Sequence, residues 1–251
     1  MKNTIIGVLA VYATAADGAG AKILHLIRHA ESNWNVATAG EHLGQHPEIV
    51  DIDSRLSKVG REQADAQSWD VMDPPPDIVI SSPLSRALDT AIALAAGRDV
   101  EIRAEPLATE WCENSCDVGR AGLVLAREYS RVTNLATLGN SQWWPLSQSE
   151  IRAGGRETEA SVDRRCALLL AAVRELPHTS IAIVAHCMIL DKLQRLVVDG
   201  MASNPEAASS AYLSNTEVRT LRLNAPDASN SKRDEWDDHP ATLCRISKYG
   251  L

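Results

Sequence analysis

Hydrophobic positions along the chain alternate between short continuous runs and longer stretches with helical spacing. Leu24-His-Leu-Ile27, Ile78-Val-Ile80 and Ile181-Ala-Ile-Val184 are compact apolar runs that end abruptly on polar residues. Runs of this length, bounded by such breaks, read as strands buried on both faces. The pattern predicts a first strand over 22–28, a helix over 55–68 begun near Ser54, a strand over 77–81 and a helix over 84–96 that stops before Gly97. A short edge strand is expected over 100–104. From 112 to 156 the periodicity loosens, because Trp143-Trp144-Pro145 and Gly154-Gly155 interrupt the helical stretches. A helix resumes at Glu157 and runs to Leu176. Leu190, Leu193 and Val197 mark another, and the last core strand is expected over 216–223. This β-helix-β alternation belongs to an α/β fold whose neighbouring strands run parallel.

Three junctions carry the candidate chemistry. The first strand passes into Arg28-His29, the second breaks at Ser81-Ser82-Pro83 with Arg86 close behind, and the run 180–185 ends on His186. Proline is favoured in a helix's first turn, so Arg86 is expected about one turn into its helix, near the positive end. In open α/β sheets ligands bind beyond the carboxyl ends of the strands, where residues remote in sequence converge. An arginine fork complements a pair of phosphoryl oxygens, and an adjacent imidazole can attack phosphorus or hydrogen-bond to the group.

Arg28-His29 followed by Glu31, Ser32, Trp34 and Asn35, then Ser81-Ser82-Pro-Leu-Ser-Arg86, then Ala185-His186, resembles the histidine phosphatase superfamily, also called phosphoglycerate-mutase-like. Weaker segments keep the same order: Asp53-Ser-Arg-Leu56-Ser57-Lys-Val-Gly60-Arg-Glu-Gln63-Ala64, Leu107-Ala-Thr-Glu110 and Leu213-Ser-Asn215-Thr-Glu217-Val. The resemblance implies a three-layer αβα sandwich with a mostly parallel central sheet. It places the domain over 22–224, with 112–156 as a cap-like insertion where substrate choice is expected to reside.

The resemblance further implies a phosphomonoester hydrolase, a histidine acid-type phosphatase acting through a phosphohistidine intermediate. His29 matches the nucleophile. Arg28, Arg86 and His186 match the cationic pocket around the phosphoryl oxygens, and Asn35 matches a neutral donor to them. Glu110 matches the acid that protonates the leaving oxygen. Its spacing from Leu107 favours it over Glu113 and Asp117 in the same stretch. No metal or organic cofactor is implied, and hydrolysis is expected to be metal-independent. Ala30 and Cys187 stand where many members carry glycine. Cys187 either narrows the pocket or is simply a small buried hydrophobe.

Two other functions fit the same residues. A phosphoglycerate mutase-type phosphotransferase is disfavoured because Glu110 is followed by Trp-Cys-Glu-Asn-Ser-Cys, whereas mutases carry an Arg-His-Tyr-Gly-Gly stretch there. A catalytically retired phosphate- or partner-binding module is the alternative of another class. Against it, each charged group the chemistry needs has a candidate. Trp143 and Trp144 either cover the site or anchor the insertion to the core. Arg152 and Arg156 either reach a second anionic group on the substrate or are solvated helix-end charges.

Composition narrows the partners. With 251 residues and 45% hydrophobic content, the chain suits one α/β domain, and in the absence of Phe its core must be filled by Leu, Ile, Val, Ala and Trp. A formal net charge of −8 disfavours nucleic-acid binding, which rests on phosphate neutralisation. A small phosphorylated substrate is the expected partner, and the sequence leaves the oligomeric state open. His25 and His29 lie about 13 Å apart on a strand, too far to share a zinc ion. Cys187 lacks the arginine six residues on that a cysteine-phosphatase loop requires; Leu193 stands there.

Residues 1–21 form a leader with the rough shape of a secretory signal: Lys2, an apolar run Ile5–Tyr12, and small residues at Ala13-Thr-Ala15 and Ala19-Gly-Ala21. The rival is an extension of a cytoplasmic enzyme, towards which five irregularly spaced cysteines tilt the choice. No other run suits a membrane span. Residues 225–251 read as a polar tail.

Overall fold

A computed structural model describes residues 21–39, 44–199 and 212–224. The expected leader, apart from residue 21, and the polar tail lie outside these residues. Strands β1 (Lys22–Arg28), β2 (Ile78–Ser81), β3 (Glu101–Ala104), β4 (Val132–Thr133), β5 (Ser180–Ala185) and β6 (Val218–Leu223) form one sheet in the order β4-β3-β2-β5-β1-β6. All neighbours pair in parallel except β6, which returns antiparallel along β1. The register sets Arg28 beside Ala185 and Ser81 beside Val184, so three central strands end at one level.

Side chains alternate across the sheet, as the two-residue period of a strand dictates. Leu24 and Leu26, Ile78 and Ile80, and Ile181 and Ile183 pack on one face against helices α6 (Glu159–Glu175) and α7 (Cys187–Asp199). Ile27, Val79, Ala182 and Val184 face the other way, against α3 (Ser85–Leu94) and Leu125 of α4 (Gly122–Glu128). Both faces are covered, which is why these strands read as unbroken apolar runs. The fold is the expected three-layer αβα sandwich. Its fully buried large side chains are Leu and Ile, with Trp34 and Trp69 near the margins, so branched aliphatics take the volume that Phe would fill elsewhere.

Local differences from the sequence reading have physical causes. The helix expected over 55–68 is α2 (Lys58–Asp65), delayed until Ser57, whose Oγ accepts the Gly60 amide at 2.9 Å. Pro83 precedes the N-cap Leu84, so Arg86 is the second residue of α3 rather than a turn inside it, still at the positive end. The strand at 100–104 is not an edge: β4 adds outside it. The loose stretch 112–156 contains α4, β4 and α5 (Gln148–Arg152), elements of one or two turns or a single pair. A helix not anticipated, α1 (Asn33–Ala37), follows β1 through a reciprocal cap between Ser32 and Asn35.

Candidate active site

The end of β1 is fixed by backbone and side-chain contacts from every side. The His29 amide donates to Ala185 O at 3.0 Å, and the Ala30 amide to Thr90 Oγ1 at 3.0 Å. From the chain just before β6, Asn215 Nδ2 donates to His29 O at 2.8 Å, while Arg28 Nη1 reaches Leu213 O at 2.8 Å. His29 Nδ1 lies 2.7 Å from Ala30 O. A carbonyl only accepts, so Nδ1 carries a proton, and in the neutral form of the ring the lone pair is on Nε2. Asn35 Oδ1 accepts from the Ser32 amide and hydroxyl at 3.1 and 3.0 Å, leaving its Nδ2 hydrogens as the remaining donors.

Arg86 is held from two directions. The buried Asp53 carboxylate accepts from the Ser85 amide at 2.7 Å and from Arg120 Nε at 2.6 Å, supplying the cap that Leu84 cannot. The Arg86 guanidinium then donates to Cys116 O at 2.7 Å and Asp117 Oδ1 at 3.0 Å. Both partners of this ion pair are almost fully buried.

His186 lies behind His29 rather than on the open wall: it is fully buried, with the two ring centroids 5.0 Å apart. Its Nε2 is 2.8 Å from Ser82 Oγ, which itself accepts the Leu84 amide at 3.3 Å. His186 Nδ1 is a buried atom with no hydrogen-bond partner among the described residues. Burial, with Arg86, His29 and Arg28 nearby, holds this imidazole well below its usual range, so it is neutral. Cys187 is buried at the start of α7, and burial pushes its thiol up to about 12, which removes it as a thiolate nucleophile.

The three acidic candidates have different surroundings. Glu110 accepts from the Trp111 amide at 2.9 Å and more weakly from Met188 at 3.4 Å. Burial, then the Asp117 charge, pushes its carboxyl up to about 7. Glu113 pairs with Arg156 Nε at 2.8 Å, and the Arg156 guanidinium stacks over Trp111. Asp117 takes Arg86 on one oxygen and the Asn114 amide on the other, at 3.1 Å. The loop carrying Glu110 is braced by Arg165 of α6, which donates to Leu107 O and Thr109 O at 2.9 Å while paired with buried Glu157.

Arg28, His29, Asn35, Arg86 and Glu110 line one cleft of about 460 Å³, partly open to solvent, with Trp34, Trp111, Glu113, Asp117 and Cys187 among its other walls. His186 backs it. Trp143 and Trp144 lie elsewhere: Trp143 donates to Arg120 O at 2.8 Å and packs on the core, and Trp144 packs against Cys112, Val118 and Ile151. Both anchor the insertion. Sequence reasoning placed Asp53 and Ser82 within motifs without giving them a supporting role and gave none to Thr90 or Arg165, because the pairings of these polar groups are visible only in the fold.

A model of the histidine phosphatase superfamily, branch 1, matches residues 24–229, and the chain belongs to that superfamily. Phosphoserine phosphatase 1 from Hydrogenobacter thermophilus is 34% identical over 79 residues, which cover 32% of this chain and 34% of that protein. The matched stretch therefore spans about a third of that relative. Among solved structures, a candidate alpha-ribazole-5'-P phosphatase from Escherichia coli aligns with TM-score 0.54 at 20% identity, covering 82% of this chain and 92% of the other. A mycobacterial glucosyl-3-phosphoglycerate phosphatase aligns with TM-score 0.50 at 22% identity, over 80% and 90%. At these identities the structures share the fold.

Proposed function

We propose that the chain is a phosphomonoester hydrolase that passes the phosphoryl group through His29. The observation that carries this reading is the convergence on one cleft of an imidazole with its lone pair on Nε2, two guanidiniums and a carboxyl that keeps its proton near neutrality. The lone pair of His29 Nε2 forms a bond to phosphorus as the ester P–O bond breaks. Arg28, Arg86, the Asn35 amide and the neutral His186 ring stabilise the charge spread over the equatorial oxygens. Glu110 gives its proton to the departing alkoxide, then takes one from the water that cleaves the P–N bond, which restores both groups.

Substrates are small phosphorylated alcohols; the family match and the phosphoserine phosphatase relative support this class. The domain spans 22–224. Replacing His29 by Ala should abolish hydrolysis of p-nitrophenyl phosphate and the trapping of alkali-stable, acid-labile labelled phosphate on the protein. Undiminished turnover by His29→Ala would overturn the reading. Mutase chemistry has no specific observation in its favour here.

A further inference from the structure

We propose that Asp117 is a positioning residue that acts through two neighbours: it fixes the Arg86 guanidinium and sets its carboxylate in the cleft that holds the Glu110 carboxyl. The inference rests on the phosphatase reading for its consequence but on geometry for its content. Asp117 is 2% exposed. Its Oδ1 accepts Arg86 Nη2 at 3.0 Å, and its Oδ2 accepts the Asn114 amide at 3.1 Å and the Glu113 amide at 3.4 Å. Both oxygens are acceptors towards donors that cannot reverse, so the group is a carboxylate and not a proton donor to substrate. The Cys116 thiol adds a contact to Oδ1 at 3.4 Å.

These contacts give Asp117 opposite effects on the two groups it serves. The Arg86 fork is aimed by a charge-assisted bond whose anchor is the backbone of 113–117, so the insertion's first turn sets where a phosphoryl oxygen would be met. Glu110 lines the same cleft. It faces Arg86 from α3, Arg28 from β1, the Cys187 thiol and Met188 amide from α7, and Asp117 from the short turn Ser115–Asp117. Arg86 and the two amides pull its proton away; burial and Asp117 hold it. Asp117 thus offsets the arginines that the phosphate site requires, letting one small cleft hold cations for oxygen and a protonated acid for the leaving group.

The test is carbon-13 titration of the Glu110 carboxyl in the full chain, with Asp117→Asn and Asp117→Ser as neutral replacements and Asp117→Glu as the charge-retaining control. Both neutral variants should lower the Glu110 midpoint by about one pH unit, and Asp117→Glu should stay near the parent. Inorganic phosphate, measured by calorimetry, should bind about tenfold more weakly to Asp117→Ser, because the guanidinium loses its anchor. A Glu110 midpoint unmoved in whichever neutral variant folds, or phosphate affinity unchanged, overturns the proposal. If the parent protein binds no phosphate, the phosphatase reading fails, while the Glu110 titration still decides the role of Asp117.

Discussion

At the scale of single residues, the chemistry turns on which atoms hold protons. Glu110 is protonated below about 7 and ionised above it, so an alcohol that leaves poorly loses its proton donor as pH rises. Hydrolysis of an alkyl phosphate should fall through a limb near pH 7, read from kcat/KM against pH, which reports the free enzyme. Replacing Glu110 by Gln should cut alkyl phosphate turnover by about 10² to 10⁴-fold. With p-nitrophenyl phosphate, whose leaving group needs no proton, the same variant should release a stoichiometric burst of nitrophenol and then stall, because water loses its base. A burst with both substrates would remove Glu110 from the role of acid. Arg28, His29 and His186 were legible in the sequence because they fall at strand ends, and Asn35, Arg86 and Glu110 because they lie in ordered motifs. Their supports were not. Ser82 meets His186, and Asp53 meets Ser85, across spans of sequence with no local pattern to mark the pairing.

At the scale of elements, legibility followed the source of stability. β1, β2 and β5 are apolar on both faces and announce themselves. The short helices of 112–156 do not, since one or two turns draw their stability from packing rather than periodicity. Gly122 shows this: a Cβ there would meet Leu135 O at 2.4 Å. The same close approach occurs where α2 meets the loop after His29. A Cβ on Gly60 would lie 1.9 Å from Glu31 O, the carbonyl that also accepts the Ser57 amide at 2.9 Å. Gly60→Ala must push α2 off that loop and should cost about 1–3 kcal/mol, measured by urea unfolding. Because Glu31 is two residues from His29, kcat should fall as well. A variant with parental stability would show that α2 moves without resistance.

At the scale of the whole molecule, a protein of net charge −8 brings two guanidiniums, Arg28 and Arg86, to one cleft. In the proposed mechanism these guanidiniums take the part that metal ions play in metal-dependent phosphatases. Activity after exhaustive dialysis against EDTA should therefore match the untreated enzyme, assayed in metal-free buffer; restoration only by added divalent ions would contradict this. Among the described residues no helix is long and apolar enough to cross a membrane. The antiparallel return of β6 has a temporal consequence. Arg28, His29, Arg86 and Glu110 are all translated before Leu213 and Asn215, yet those late residues clamp Arg28 and the His29 carbonyl. A chain cut before Leu213 would still carry those four residues and would lack both of these clamps.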